Sequence, residues 1–135
     1  MEKLSTPDFI VIDDDSINNH ICQKYIQLIF PDADIVTFIS PVAGLEYIQT
    51  KYPITRQNDT ILLLDINMPV LSGWDVLDRF INFPEGVKRQ FKIYILSSSI
   101  AIEDKVKSNN NPLVSGFIEK PLNISQLRNL FKDYL

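Results

Sequence analysis

Cysteine occurs once, at Cys22. No disulfide can form within the chain, and no cysteine-based zinc site can be built. Such sparse use of cysteine suits a reducing compartment, and Cys22 itself reads as filler on a helix face. No apolar run approaches the ~20 residues that a membrane span needs. The opening stretch MEKLSTPD holds no apolar signal core. The expectation is a cytoplasmic chain with no membrane partner, in which the N-x-S/T triplets at Asn58 and Asn123 stay bare. Basic residues never gather into a stripe. Lys88-Arg89 and Lys105 with Lys107 are the densest spots, and the net charge is −4. That argues against direct nucleic-acid binding. Linkers, low-complexity tracts and internal repeats are missing as well, apart from an alternation of short apolar runs with helical patterns.

That alternation carries the fold. At 135 residues and 45% hydrophobic composition, the chain can bury one core. The reading is a single domain over residues 1–135, with its core at 9–135 and no output domain, so a unit that acts alone. The runs FIVI (9–12), DIVTF (34–38), ILLLD (61–65), KIYIL (92–96) and GFIE (116–119) read as strands. Most are nearly continuous in apolar residues, as expected where helices cover both faces of a sheet. Helical faces lie between them: Ile21, Tyr25, Leu28 and Ile29; Val42, Leu45 and Ile48 behind a Ser40-Pro41 start; Trp74, Leu77, Phe80 and Ile81. A weaker helix is read from Ile100 to Val106. Leu127, Leu130, Phe131 and Tyr134 follow an Asn123 cap. FPEGVKRQF (83–91) and NNNP (109–112) read as surface loops. Five β-α units predict an α/β, doubly wound, five-stranded parallel sheet, (βα)5, with strand order 2-1-3-4-5.

Ligands of such sheets bind outside the carboxyl ends of the strands, where strand order reverses. The predicted strand ends carry Asp13-Asp14, Asp65, Ser97-Ser98-Ser99 and Glu119-Lys120-Pro121; strand 2 ends blandly in Phe38-Ile39-Ser40. Adjacent carboxylates are costly to desolvate, so the run Asp13-Asp14-Asp15 asks for a positive partner. Asp13, Asp14 and Asp65 carry −3 between them and Lys120 returns +1, leaving about −2. That suits one hard divalent cation, Mg²⁺ or Mn²⁺. Asp15 is assigned to the start of helix 1, where its charge favours the helix dipole. A metal beside a carboxylate, a hydroxyl and a lysine also suits phosphoryl transfer. Asp65 would be the nucleophile, and Ser97 and Lys120 would hold phosphoryl oxygens.

The segments VIDDDSIN, LLLDINMPVLSGWDVL, IYILSSS and GFIEKPLN together resemble the signatures of response-regulator receiver domains, the CheY-like fold of two-component signalling. The resemblance runs from about Phe9 to Leu135. It implies that Asp65 is the phosphoacceptor, that Asp14 ligates the metal directly, and that Asp13 acts mainly through water. It implies that Asn67 supplies a backbone carbonyl to the metal. Ser97 would be the hydroxyl that moves onto the phosphoryl group, and Lys120 the lysine that pairs with it, ahead of a cis Lys120-Pro121 bond. Pro69 and Gly73 would shape the turn after the acceptor strand, where a glycine permits positive φ. Phe117 matches the aromatic switch position. The implied partners are a sensor histidine kinase or a histidine phosphotransfer protein, and a downstream protein effector bound on the fourth helix, fifth strand and fifth helix. The chain would catalyse only its own phosphorylation and dephosphorylation.

Other classes fit less well. A haloacid-dehalogenase-like phosphatase needs a second aspartate two residues after the nucleophile, and Asn67 stands there. A flavodoxin-like flavin binder wants a phosphate-cradling loop after strand 1, and DDDSIN is acidic and lacks glycine. His20, among Asn18, Asn19 and Gln23, reads as a solvated side chain, and Trp74 as core.

Overall fold

In the computed structural model, which describes residues 4–98 and 102–135, the apolar runs become five strands: β1 Asp8–Ile12, β2 Ile35–Phe38, β3 Thr60–Asp65, β4 Phe91–Ser97 and β5 Val114–Glu119. All pair in parallel, in the order β2-β1-β3-β4-β5. The helices are α1 Ser16–Ile29, α2 Pro41–Lys51, α3 Gly73–Phe80, α4 Ile102–Asn110 and α5 Ile124–Leu130. A single helical turn, Glu85–Lys88, precedes β4, and a 3-10 turn, Lys132–Tyr134, closes the chain.

Side chains alternate across a strand, so β1 and β3 feed two cores. Ile10, Ile12, Leu62 and Leu64 pack with Leu45, Ile48, Val76 and Phe80, beneath α2 and α3. Phe9, Val11, Ile61 and Leu63 pack with Cys22, Ile26, Leu127 and Phe131, beneath α1 and α5. Burying such aliphatic and aromatic side chains is worth about 1.5–3 kcal/mol each. These two layers clamp the sheet and leave the strand ends as the polar edge.

The register decides what meets there. Ile12 is level with both Phe38 and Leu64, so Asp13 and Asp65 are each one residue past the same rung. Asp65 is level with Leu96, and Ser97 with Glu119, so Ser97 lies one residue past the Asp65 rung and Lys120 one residue past that of Ser97. Helix starts are fixed by side chains. Asp15 accepts the amides of Ile17 and Asn18; Ser40 accepts that of Ala43; Asn123 accepts that of Gln126. Ser72 and Asp75 close a reciprocal capping box on α3.

Several expectations need correction. The inward face of α1 is Asn19, Cys22, Ile26 and Ile29, while Leu28 is 67% exposed and Ile21 is also outside. Val42, Ile81 and Leu130 likewise face solvent. The segment 83–91 is not wholly loop, because Pro84 opens the turn Glu85–Lys88. Asn109 and Asn110 belong to α4 rather than to a loop. Ser99 of the third strand-end group, and Ile100 and Ala101 of the expected helix start, lie outside the described residues. Trp74 packs against the core beneath α2 and α3 but is only half-buried, with the Lys107 ammonium 5.7 Å from its ring centroid. No described glycine has positive φ. Gly73 is required for another reason: a Cβ there would meet the Asp65 carbonyl oxygen at 2.7 Å and Ile66 Cα at 2.8 Å. Among the described residues no helix is long and apolar enough to cross a membrane.

Candidate metal centre at the carboxyl edge

β1, β3 and the turn after β5 deliver Asp13, Asp65 and Lys120 to one place. Lys120 Nζ lies 2.7 Å from Asp13 Oδ2 and 3.5 Å from Asp65 Oδ1. Asp13 is fully buried and Asp65 is 3% exposed. Asp13 is held on both oxygens: Oδ1 accepts the Asp15 amide at 2.9 Å, and Oδ2 accepts the Asn18 side-chain amide at 2.6 Å. Asn19 bonds the strand end itself, donating to the carbonyls of Asp13 (2.9 Å) and Phe38 (3.3 Å). Asp65 Oδ1 accepts the backbone amide of Asn67 at 3.2 Å. Asp14 is exposed at the mouth of the pocket, as is Asn67.

Crowded acids shift one another. Burial, then the charge of Asp13, pushes the Asp65 carboxyl from 3.8 up to about 6, against the pull of Lys120 and the Asn67 amide. Burial works to lower the pKa of Lys120, but its bonds and charge contacts with Asp13 and Asp65 prevail and raise it. Burial and Asp13 lift the Cys22 thiol to about 12. It is therefore an unreactive neighbour of the site.

One carboxylate oxygen from each of Asp13, Asp14 and Asp65 lies within 4.8 Å of the others. An all-oxygen, net-negative set with one exposed member fits Mg²⁺ or Mn²⁺ and leaves room for water ligands. Ser97 is fully buried at the end of β4, one residue past the partner of Asp65. Its carbonyl accepts the Lys120 amide at 2.8 Å, which ties β4 to the cis Lys120-Pro121 bond. Phe117 is half-buried on β5, level with Ile95. With Lys105, Asn109, Glu119 and Gln126 it lines a hollow of about 370 Å³ between α4 and α5. His20 is exposed on α1. The structure thus gathers Asp13, Asp14, Asp65 and Lys120 into one pocket, puts Ser97 and Asn67 on its edge, and leaves Phe117 outside it. Sequence reading missed Asn18 and Asn19. The only available signal was the Asn-Asn pair one helical turn after an N-cap, and it does not say which way either amide points.

Fold and pocket together define a class: doubly wound parallel α/β domains with an acidic, cation-compatible pocket at the point where strand order reverses. Residues 9–132 match the family described as the response regulator receiver domain, and the chain belongs to that family. Its structure is similar to that of a two-component response regulator from Cytophaga hutchinsonii, at 28% identity, a TM-score of 0.84, and 96% and 97% coverage of the two chains. It is also similar to a response regulator receiver protein from Dyadobacter fermentans, at 27% identity, a TM-score of 0.83, and 96% and 98% coverage. In sequence it is 32% identical over 77 residues to stress response regulator protein 1 of Meyerozyma guilliermondii. That match takes in 57% of this chain but only 33% of the relative's length. Family membership implies signalling in a two-component system by phosphorylation on an aspartate, with little chemistry beyond the domain's own phosphorylation and dephosphorylation.

Proposed function

We propose that Asp65 is the phosphoacceptor of a Mg²⁺-dependent relay and that the domain signals through protein contacts. The observation that carries this reading is the convergence of Asp65, Asp13 and Asp14 within one ion's reach, with Lys120 beside them. An Asp65 oxygen attacks phosphorus in the phosphohistidine of a sensor kinase or phosphotransfer protein. The P–O bond forms, the P–N bond breaks, and its electron pair stays on the imidazole nitrogen. Bound at Asp13, Asp14, Asp65 and the Asn67 carbonyl, Mg²⁺ would supply positive charge to the transferring phosphoryl oxygens. Lys120 neutralises a second oxygen, and the Ser97 hydroxyl donates to a third. Water attack on the same phosphorus later returns Asp65 and inorganic phosphate. The acidic surface, with net charge −4, favours protein over nucleic-acid partners. The hollow lined by Phe117, between α4 and α5, supports an effector contact on α4, β5 and α5, where repacking of the ring would report the state of the pocket.

Intact-mass spectrometry after treatment with acetyl phosphate and Mg²⁺ tests the reading. One phosphoryl adduct is expected, absent in Asp65→Asn and absent with chelator. An adduct that persists in Asp65→Asn refutes the assignment.

A further inference from the structure

We infer that Asn18 is a positioning residue of this pocket: its side-chain amide holds the Asp13 carboxylate in register while Lys120 turns from Asp13 toward a phosphoryl group on Asp65. The inference rests on the reading of Asp65 as acceptor.

Two donors converge on one oxygen. Asn18 Nδ2 is 2.6 Å from Asp13 Oδ2, and Lys120 Nζ is 2.7 Å from the same atom. The lysine is further, 3.5 Å, from Asp65. To serve a phosphoryl group on Asp65 it must slacken its hold on Asp13. Asp13 is fully buried, and a buried carboxylate oxygen that loses a donor is disfavoured unless another partner stays in place. Asn18 supplies the remaining donor. Asp13 therefore keeps its orientation, and the transfer of the lysine becomes easier.

Helix formation does not account for this side chain. The start of α1 is capped by Asp15, which accepts the backbone amides of Ile17 and Asn18. The tether of α1 to the sheet belongs to the neighbouring residue, Asn19, through the carbonyls of Asp13 and Phe38. The two asparagines divide the work: one fixes the strand end, the other the carboxylate on it. Orienting partners of this kind are as much a part of a metal site as the ligands.

The test compares wild type with Asn18→Leu, close in size but without a donor, and Asn18→Gln, which keeps the amide. Mn²⁺ affinity is measured by calorimetry without phosphodonor, and the phosphorylation rate is followed against acetyl phosphate concentration. Asn18→Leu is expected to weaken Mn²⁺ binding about tenfold, within the range seen when partners of metal ligands are lost. Its maximal phosphorylation rate should fall by about as much, with the half-saturating donor concentration unchanged, while Asn18→Gln recovers most of both. If Asn18→Leu does not fold, Asn18→Ser, whose donor is too short to reach Asp13, takes its place under the same expectations. Wild-type Mn²⁺ affinity and rate in the donorless variant overturn the inference, as does an equal loss in Asn18→Gln. Failure of wild type itself to carry a phosphoryl group on Asp65 would instead remove the functional reading.

Discussion

Gly73 is pressed against the backbone of Asp65: a β-carbon on that glycine would stand 2.7 Å from the Asp65 carbonyl oxygen. The first turn of α3 thus sets how the acceptor strand ends. The contact atoms are backbone and cannot swing away. Gly73→Ala should therefore cost about 1–3 kcal/mol, the usual penalty of overpacking, read as a lower urea midpoint. It should also slow phosphorylation by acetyl phosphate, because the strand end that presents Asp65 must shift. An unchanged midpoint would show that α3 can yield without cost.

The raised pKa of Asp65 predicts a pH signature in the metal-free protein. The carboxyl titrates near 3.8 when unfolded and about 6 when folded. Its contribution to stability is therefore complete below about pH 4 and is lost as pH rises through about 6. The melting temperature of Asp65→Asn minus that of wild type should be small at about pH 4 and clearly positive at about pH 7. Mg²⁺ should narrow the gap at the higher pH. A difference that does not vary with pH would contradict the electrostatic account of the pocket.

Lys120 is the cation that the structure itself supplies. Lys120→Met leaves Asp13 and Asp65 facing each other without it, and should cost up to about 3 kcal/mol in the absence of divalent ions. Part of that loss should return on adding Mg²⁺, because a divalent ion restores the missing positive charge. Thermal melts with and without Mg²⁺ separate this from a packing defect, which the ion would not repair.

Asp13 and Asp14 are neighbours with different duties. Asp14 is exposed, whereas Asp13 is buried and bonded to Asp15, Asn18 and Lys120. Asp14→Asn should weaken Mg²⁺ binding by about tenfold or more while barely moving the melting temperature. Asp13→Asn should alter both, since it disturbs a buried ion pair. Calorimetric titration paired with a melt distinguishes the two variants. Identical behaviour would mean that burial does not separate their roles.

The sheet was legible because strands covered on both faces must be apolar throughout: Ile61 to Leu64 admit no other placement. The strand-end acids were legible for the opposite reason, since a charge that follows such a run can lie only at an edge. Helix faces were less so. Ile21, Leu28, Val42, Ile81 and Leu130 share the spacing of core residues but face solvent, because apolar periodicity does not say which of two adjacent stripes turns inward. Asn18 was hidden for a related reason. An asparagine near a helix start reads as solvated or capping, and only the fold shows a buried carboxylate 2.6 Å from its amide. The glycine at 73 was noticed for its freedom of φ, yet what matters there is the absence of a side chain.

The amide of Lys120 donates to the carbonyl of Ser97 across the ends of β5 and β4. The two groups assigned to grip a phosphoryl from that side therefore hang from one peptide-to-peptide strut. Neither can be repositioned by a local rotation of its own backbone without tugging the other. Engineering that loosens the end of β5 should consequently blunt the serine as well as the lysine, even where both side chains are left untouched.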